Sequence, residues 1–140
     1  MKLHIFNPEH DISLAQNNPN QTPSRAALQI RNDLDFIPYI WAAQGDVVLV
    51  NDVMKAYEAV EKLRLKDKNV SFIDADILEK YSDEIDAILP WGWDCAIKEH
   101  LKRLGISQTL LPSSKQLSEI RNLNNRKASI HWLVFLKAHL

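Results

Sequence analysis

Glycine is scarce in this 140-residue chain, with three in all, and neither GxGxxG nor GxxxxGK[ST] occurs. A dinucleotide fingerprint and a P-loop are therefore missing, since both place glycines where backbone must approach a phosphate. The lone cysteine, Cys95, excludes an intramolecular disulfide and points to a reducing compartment. A formal net charge of −1 supplies no global field for a polyanion, so nucleic acid is not an expected partner. The longest apolar run, WLVFL at 132–136, falls far short of the roughly 20 residues that a membrane-spanning helix needs, so no membrane partner is expected. The opening MKLHIFNPEHD soon turns polar and lacks the apolar core and cleavage site of a secretory signal, so the expected location is the cytoplasm.

What is present suits one globular domain: 46% of residues are apolar and 25% charged, and a chain of this length buries roughly 68–70% of its unfolded surface. KLHIF (2–6) reads as a strand ended by Asn7-Pro8. Thr22-Pro23 is the expected start of a helix with Ala26, Ala27 and Ile30 on one face. Residues 33–43 also look helical, but Pro38 predicts a kink or two short helices meeting near Asn32 and Asp33. VVLV (47–50) is continuously apolar, as a central parallel strand covered on both faces should be. Asn51 or Asp52 can cap the next helix, whose expected apolar stripe is Val53, Tyr57, Val60 and Leu63.

Further strands are expected at 70–74, 85–89 and 108–111, a short helix or turn at 76–83, and a helix at 94–104 stopped by Gly105. Pro112-Ser113-Ser114 opens a helix carrying Leu117, Ile120 and Leu123; Asn124-Asn125 interrupts it before a last apolar helix at about 126–139. This alternation predicts an α/β fold: a Rossmann-like, doubly wound, mainly parallel sheet of four to five strands with helices on both faces. A final helix that is apolar over most of its circumference needs covering by its own sheet, a second copy or another domain.

In open α/β sheets ligands bind beyond the carboxyl ends of the strands. Two loops at such ends are chemically loaded. The first, Asn7-Pro8-Glu9-His10-Asp11, offers an amide, two carboxylates and an imidazole, enough to bind a polar substrate or move a proton. Its single His, with no Cys, makes a poor metal site. The second is Trp91-Gly92-Trp93-Asp94, where Gly92 permits a positive φ or a close approach, Asp94 can cap the following helix, and at least one indole is expected to line the cleft. The helix start there is a natural anion site. Arg31, Asn32 and Asp33 form a third cluster, with Arg31 available to an anionic group. Cys95, at the same helix start, reads as a small apolar residue whose pKa the helix would lower.

Two features of the chain point to a family. LLPSSKQLSEIRNLNNRKASIHWLVFLKAHL resembles the segment joining the N-terminal α/β domain of ATP-grasp enzymes to the ATP-binding domain. FNPEHDISLA, RNDLDFIPYIWAAQGD and LPWGWD resemble the N-terminal region of a group of bacterial ATP-grasp-like proteins, so the resemblance covers nearly the whole chain. It implies a pre-ATP-grasp domain over 1–112 and linking helices over 113–140 that lead toward a C-terminal ATP-grasp domain. The function it implies is substrate binding within a carboxylate-amine ligase that activates its acid as an acyl phosphate. ATP and magnesium would be held by the lobes that follow, with no cofactor, metal ligand or catalytic residue in this stretch, which alone would be inactive. Arg126 or Lys127 would match a basic residue that approaches the ATP phosphates. Two other readings stand beside this one: a self-contained hydrolase or transferase using the Asn7–Asp11 loop, and an interaction module forming a homodimer through residues 126–139.

Overall fold

Four short strands make one sheet: β1 (Lys2–Ile5), β2 (Val47–Leu49), β3 (Ser71–Ile73) and β4 (Ala87–Pro90), all parallel, in the order β3-β2-β1-β4. The structure is a computed structural model and describes residues 1–139. Around the sheet lie α1 (His10–Gln16), α2 (Arg25–Leu34), α3 (Val53–Lys62), α4 (Ala75–Tyr81), α5 (Cys95–Arg103), α6 (Ser114–Leu123) and α7 (Arg126–His139). This is the α/β, Rossmann-like architecture that the sequence pattern predicts. Among the described residues, no helix is long and apolar enough to cross a membrane.

Strand periodicity sends alternate side chains to opposite faces and so builds two cores. Leu3, Ile5, Val47, Ile73 and Ile88 pack with Leu78 of α4 and with Ile97 and Leu101 of α5. Val48, Val50 and Phe72 pack on the other face with Phe36, Tyr39 and Ala56. Leu3, Leu78 and Leu101 are wholly buried, each worth about 1.5–3 kcal/mol relative to exposure. The chain winds outward from β1 through β2 to β3, then crosses to β4 on the other side of β1. The winding therefore reverses between β1 and β4.

Several expected boundaries shift for identifiable reasons. α2 begins at Arg25, not at Thr22-Pro23, because the Ser24 hydroxyl accepts the Ala27 N–H at 3.2 Å and caps the helix there. No residue of α2 is buried, so Ala26, Ala27 and Ile30 do not form a core face. The break near Pro38 is real but lies beyond Asn32 and Asp33: α2 ends at Leu34 and a 3-10 turn follows over Ile37–Ile40. Asp52 caps α3, yet Tyr57 and Leu63 are exposed and Ala56 takes the buried position; the Tyr57 ring instead meets Phe72 edge-on at 4.9 Å. The fifth strand expected at 108–111 is a 3-10 turn over Gln108–Leu110, capped by Ser107, after which Leu111 enters the core. Two polar and two apolar residues suit either conformation, and the serine cap favours the turn. α6 starts at Ser114 with Ser113 and Gln116 forming a full capping box.

Candidate functional site

The site is built from the two segments that leave β1 and β4 side by side. Trp91 N–H donates to the Ile5 carbonyl at 2.8 Å, continuing the β1–β4 pairing beyond the strand ends. Asn7, almost wholly buried, then joins the loops through its amide: Nδ2 donates to the Gly92 carbonyl at 2.8 Å and Oδ1 accepts the Gly92 N–H at 3.3 Å. A primary amide has both a donor and an acceptor, so one side chain can satisfy both backbone groups of a facing residue.

Asp94 is the second organiser. Its Oδ1 accepts the Ala96 and Ile97 N–H groups at 2.8 and 2.9 Å, capping α5, while Oδ2 lies 3.4 Å from both Asn7 Nδ2 and His10 Nδ1. The helix N-terminus expected to receive an anion is thus filled by the protein's own carboxylate. Gly92 does not adopt a positive φ; its smallness makes room for a neighbour, because a β-carbon there would overlap the His10 ring at Cγ, Cδ2 and Nε2.

Beside this floor, at the point where the winding reverses, is an open cleft of about 320 Å³. Glu9, Arg31, Asp94, His100 and Arg103 line it, and residues 19–23 form one wall. Glu9 is buried and paired with Arg31: Nε donates to Oε2 at 3.3 Å and a terminal guanidinium nitrogen contacts Oε1. Burial lowers the Arg31 pKa and the nearby Asp94 charge opposes that shift; the guanidinium remains cationic at neutral pH. His100 is held below its ordinary value by partial burial, then by repulsion from Arg31 and Arg103. The cleft therefore offers cationic, anionic and neutral hydrogen-bonding groups to a small polar ligand.

The expected site residues divide between this cleft and other places. Glu9, Arg31 and Asp94 line the cleft, and Asn7, His10 and Gly92 make its floor. Asn32 and Asp33 do not join it: Asn32 Oδ1 accepts from Asn51 Nδ2 at 2.6 Å and Asp33 pairs with Lys55 at 2.9 Å, bracing α2 against the start of α3. Asp11 is exposed on α1 and borders a different groove with Arg121 and Asn124. Neither indole lines the cleft. Trp93 packs against the core, while Trp91 is 58% exposed and touches Phe6 and Trp41, with ring centres 5.6 and 6.0 Å away. Cys95 departs from expectation as well, its pKa raised by burial and by the Asp94 charge. Lys127 is exposed at the start of α7, and the side chain of Arg126 lies outside the described residues.

His100, Arg103 and Gln21 were not singled out by the sequence reading. Ala96, Ile97, His100 and Arg103 follow Asp94 at helical spacing, so projecting the expected helix onto a wheel would have placed them on one cleft-facing stripe. Among the described residues, no three His, Cys, Asp or Glu side chains gather as metal ligands. Comparison with protein-family models, curated proteins and solved structures finds no match to this chain.

Proposed function

We propose that this chain is the substrate-binding domain of an ATP-grasp-type carboxylate-amine ligase, and that the cleft between the β1 and β4 loops receives the carboxylate substrate. The observation that carries the reading is the placement of Arg31 and Arg103 in a cleft of about 320 Å³ at the point where the sheet's winding reverses. Guanidinium groups match a carboxylate in charge and in the spacing of their donors; Arg31 already gives two nitrogens to Glu9, so Arg103 carries most of that match. The family assignment rests on the sequence resemblance. ATP and magnesium belong to lobes outside this stretch, which supplies recognition and no bond-making group.

Calorimetric titration of the 140-residue chain with acetate, succinate, L-aspartate and L-glutamate tests the binding claim. At least one should bind with a Kd near or below about 1 mM, worth about 4 kcal/mol. A chain that binds none of them is not a carboxylate-recognition domain. The ligase claim requires that the protein, joined to its ATP-binding lobes, release phosphate from ATP only when acid and amine are both supplied.

A hydrolase built on His10 gains nothing from the geometry, because His10 faces Asp94 and Gly92 and does not line the cleft. A homodimer through residues 126–139 has one observation in its favour: Ile130, Trp132, Leu133 and Val134 of α7 are each more than half exposed. Sedimentation of the chain over a range of concentrations distinguishes a dimer from a monomer.

A further inference from the structure

His100 stands where two hollows meet. It lines the main cleft and also a smaller space of about 50 Å³ over the ends of β1 and β2, and the two share Arg31 and Ile97. Five charged side chains face these spaces around the ring: Arg31 from α2, Asp35 from just beyond it, Glu9 from the β1–α1 loop, and Asp94 and Arg103 from the start and end of α5. Each of the three carboxylates has partners of its own. Glu9 is bound to Arg31, Asp94 to the α5 N–H groups and His10, and Asp35 to the Asn51 N–H at 2.7 Å. The two guanidiniums repel positive charge on the ring, so the empty cleft favours neutral imidazole.

We propose that His100 sets the ligand preference of this cleft: as an oxyanion seats against Arg31 and Arg103, the imidazole takes up one proton from solvent, and ligand and proton bind together. The inference rests on the reading of this cleft as the ligand site. An anion between the guanidiniums offsets the repulsion on the ring and accepts a hydrogen bond from the N–H that the proton creates. No covalent bond changes except the new N–H, and the buffer loses one proton per ligand bound. Because Glu9 already neutralises much of the Arg31 charge, Arg103 and the protonated ring together suit a doubly charged oxyanion better than a singly charged one.

Sulfate is the probe, because its charge is constant across the pH range in question. Calorimetry on the 140-residue chain should show sulfate binding at least about fivefold tighter at about pH 6 than at about pH 8. Titrations near pH 7 in two buffers of different ionisation heat should report uptake of up to about one proton. His100→Gln changes a side chain that belongs to neither core; it should reduce the pH dependence to less than about twofold and abolish the uptake. Uptake that persists in the variant would move the proton to another group, Asp35 first, and overturn the proposal. Binding independent of pH in the unaltered chain, or no binding of sulfate at about pH 6, overturns it equally. If a carboxylate binds without proton uptake, the cleft remains the ligand site and only the role of His100 is lost; if neither carboxylates nor sulfate bind, both readings fall.

Discussion

The imidazole of His10 occupies the space that any side chain at residue 92 would need. The two residues sit on loops after different strands, 82 positions apart, and the contact is possible only because residue 92 has no β-carbon. With the Asn7 amide on both backbone groups of Gly92, it fixes the distance between the β1 and β4 loops and so the width of the cleft floor.

Gly92→Ala should therefore destabilise the fold by about 1–3 kcal/mol, the usual cost of forcing extra volume into a packed site. Removing the ring first should relieve that cost, so Gly92→Ala should be clearly milder in a His10→Ala background than alone. Urea midpoints of the four members of the cycle measure the coupling. Additive losses would mean that the ring is not what excludes a side chain.

Asp46 should contribute to the acid limb of stability. It accepts His4 Nε2 at 3.0 Å and the N–H groups of Lys2 and Ala43 at 3.0 and 3.1 Å. Burial alone would raise its pKa; these bonds outweigh burial and hold the carboxyl below its ordinary value. Because the folded pKa is the lower one, the stabilisation is fully present above the unfolded value of about 3.9 and is lost as pH falls toward and through the folded value. Asp46→Asn should flatten that acid-side decline, and thermal melts between about pH 5 and about pH 2.5 would show it. An unchanged slope would remove Asp46 from the account.

Trp91 and Arg103 should separate in a binding assay. Trp91→Phe leaves the cleft lining untouched and should keep carboxylate affinity within about twofold, whereas Arg103→Ala should weaken it about tenfold, or about 1.4 kcal/mol. Equal losses would place the ligand over the aromatic patch instead.

The parts of the fold legible in the sequence are those with local causes. VVLV announces a central strand because a strand covered on both faces has no reason to alternate, and Asp52, Asp94 and Ser113 cap α3, α5 and α6 where short polar side chains precede apolar stripes. Residues 108–111 could not be assigned this way, because Gln-Thr-Leu-Leu suits a strand or a turn. At the site, both loaded loops were legible, but their adjacency was not, because the β1–β4 pairing joins strands more than 80 residues apart. The Glu9–Arg31 pair was not, since nothing local links residues 22 positions apart. Trp93 misled for a related reason: an indole beside a cleft loop reads as a ligand contact, and only packing shows that it turns into the core.

Within the sheet β1 precedes both its neighbours, β2 at residues 47–49 and β4 at 87–90. As the chain leaves the ribosome, Leu3 and Ile5 must wait without their second partner until residue 90 has emerged. Pairing with β2 comes sooner, but closing the long loop to β4 is slow. The sheet therefore cannot close on both sides of Leu3 and Ile5 until the last of its strands has been made.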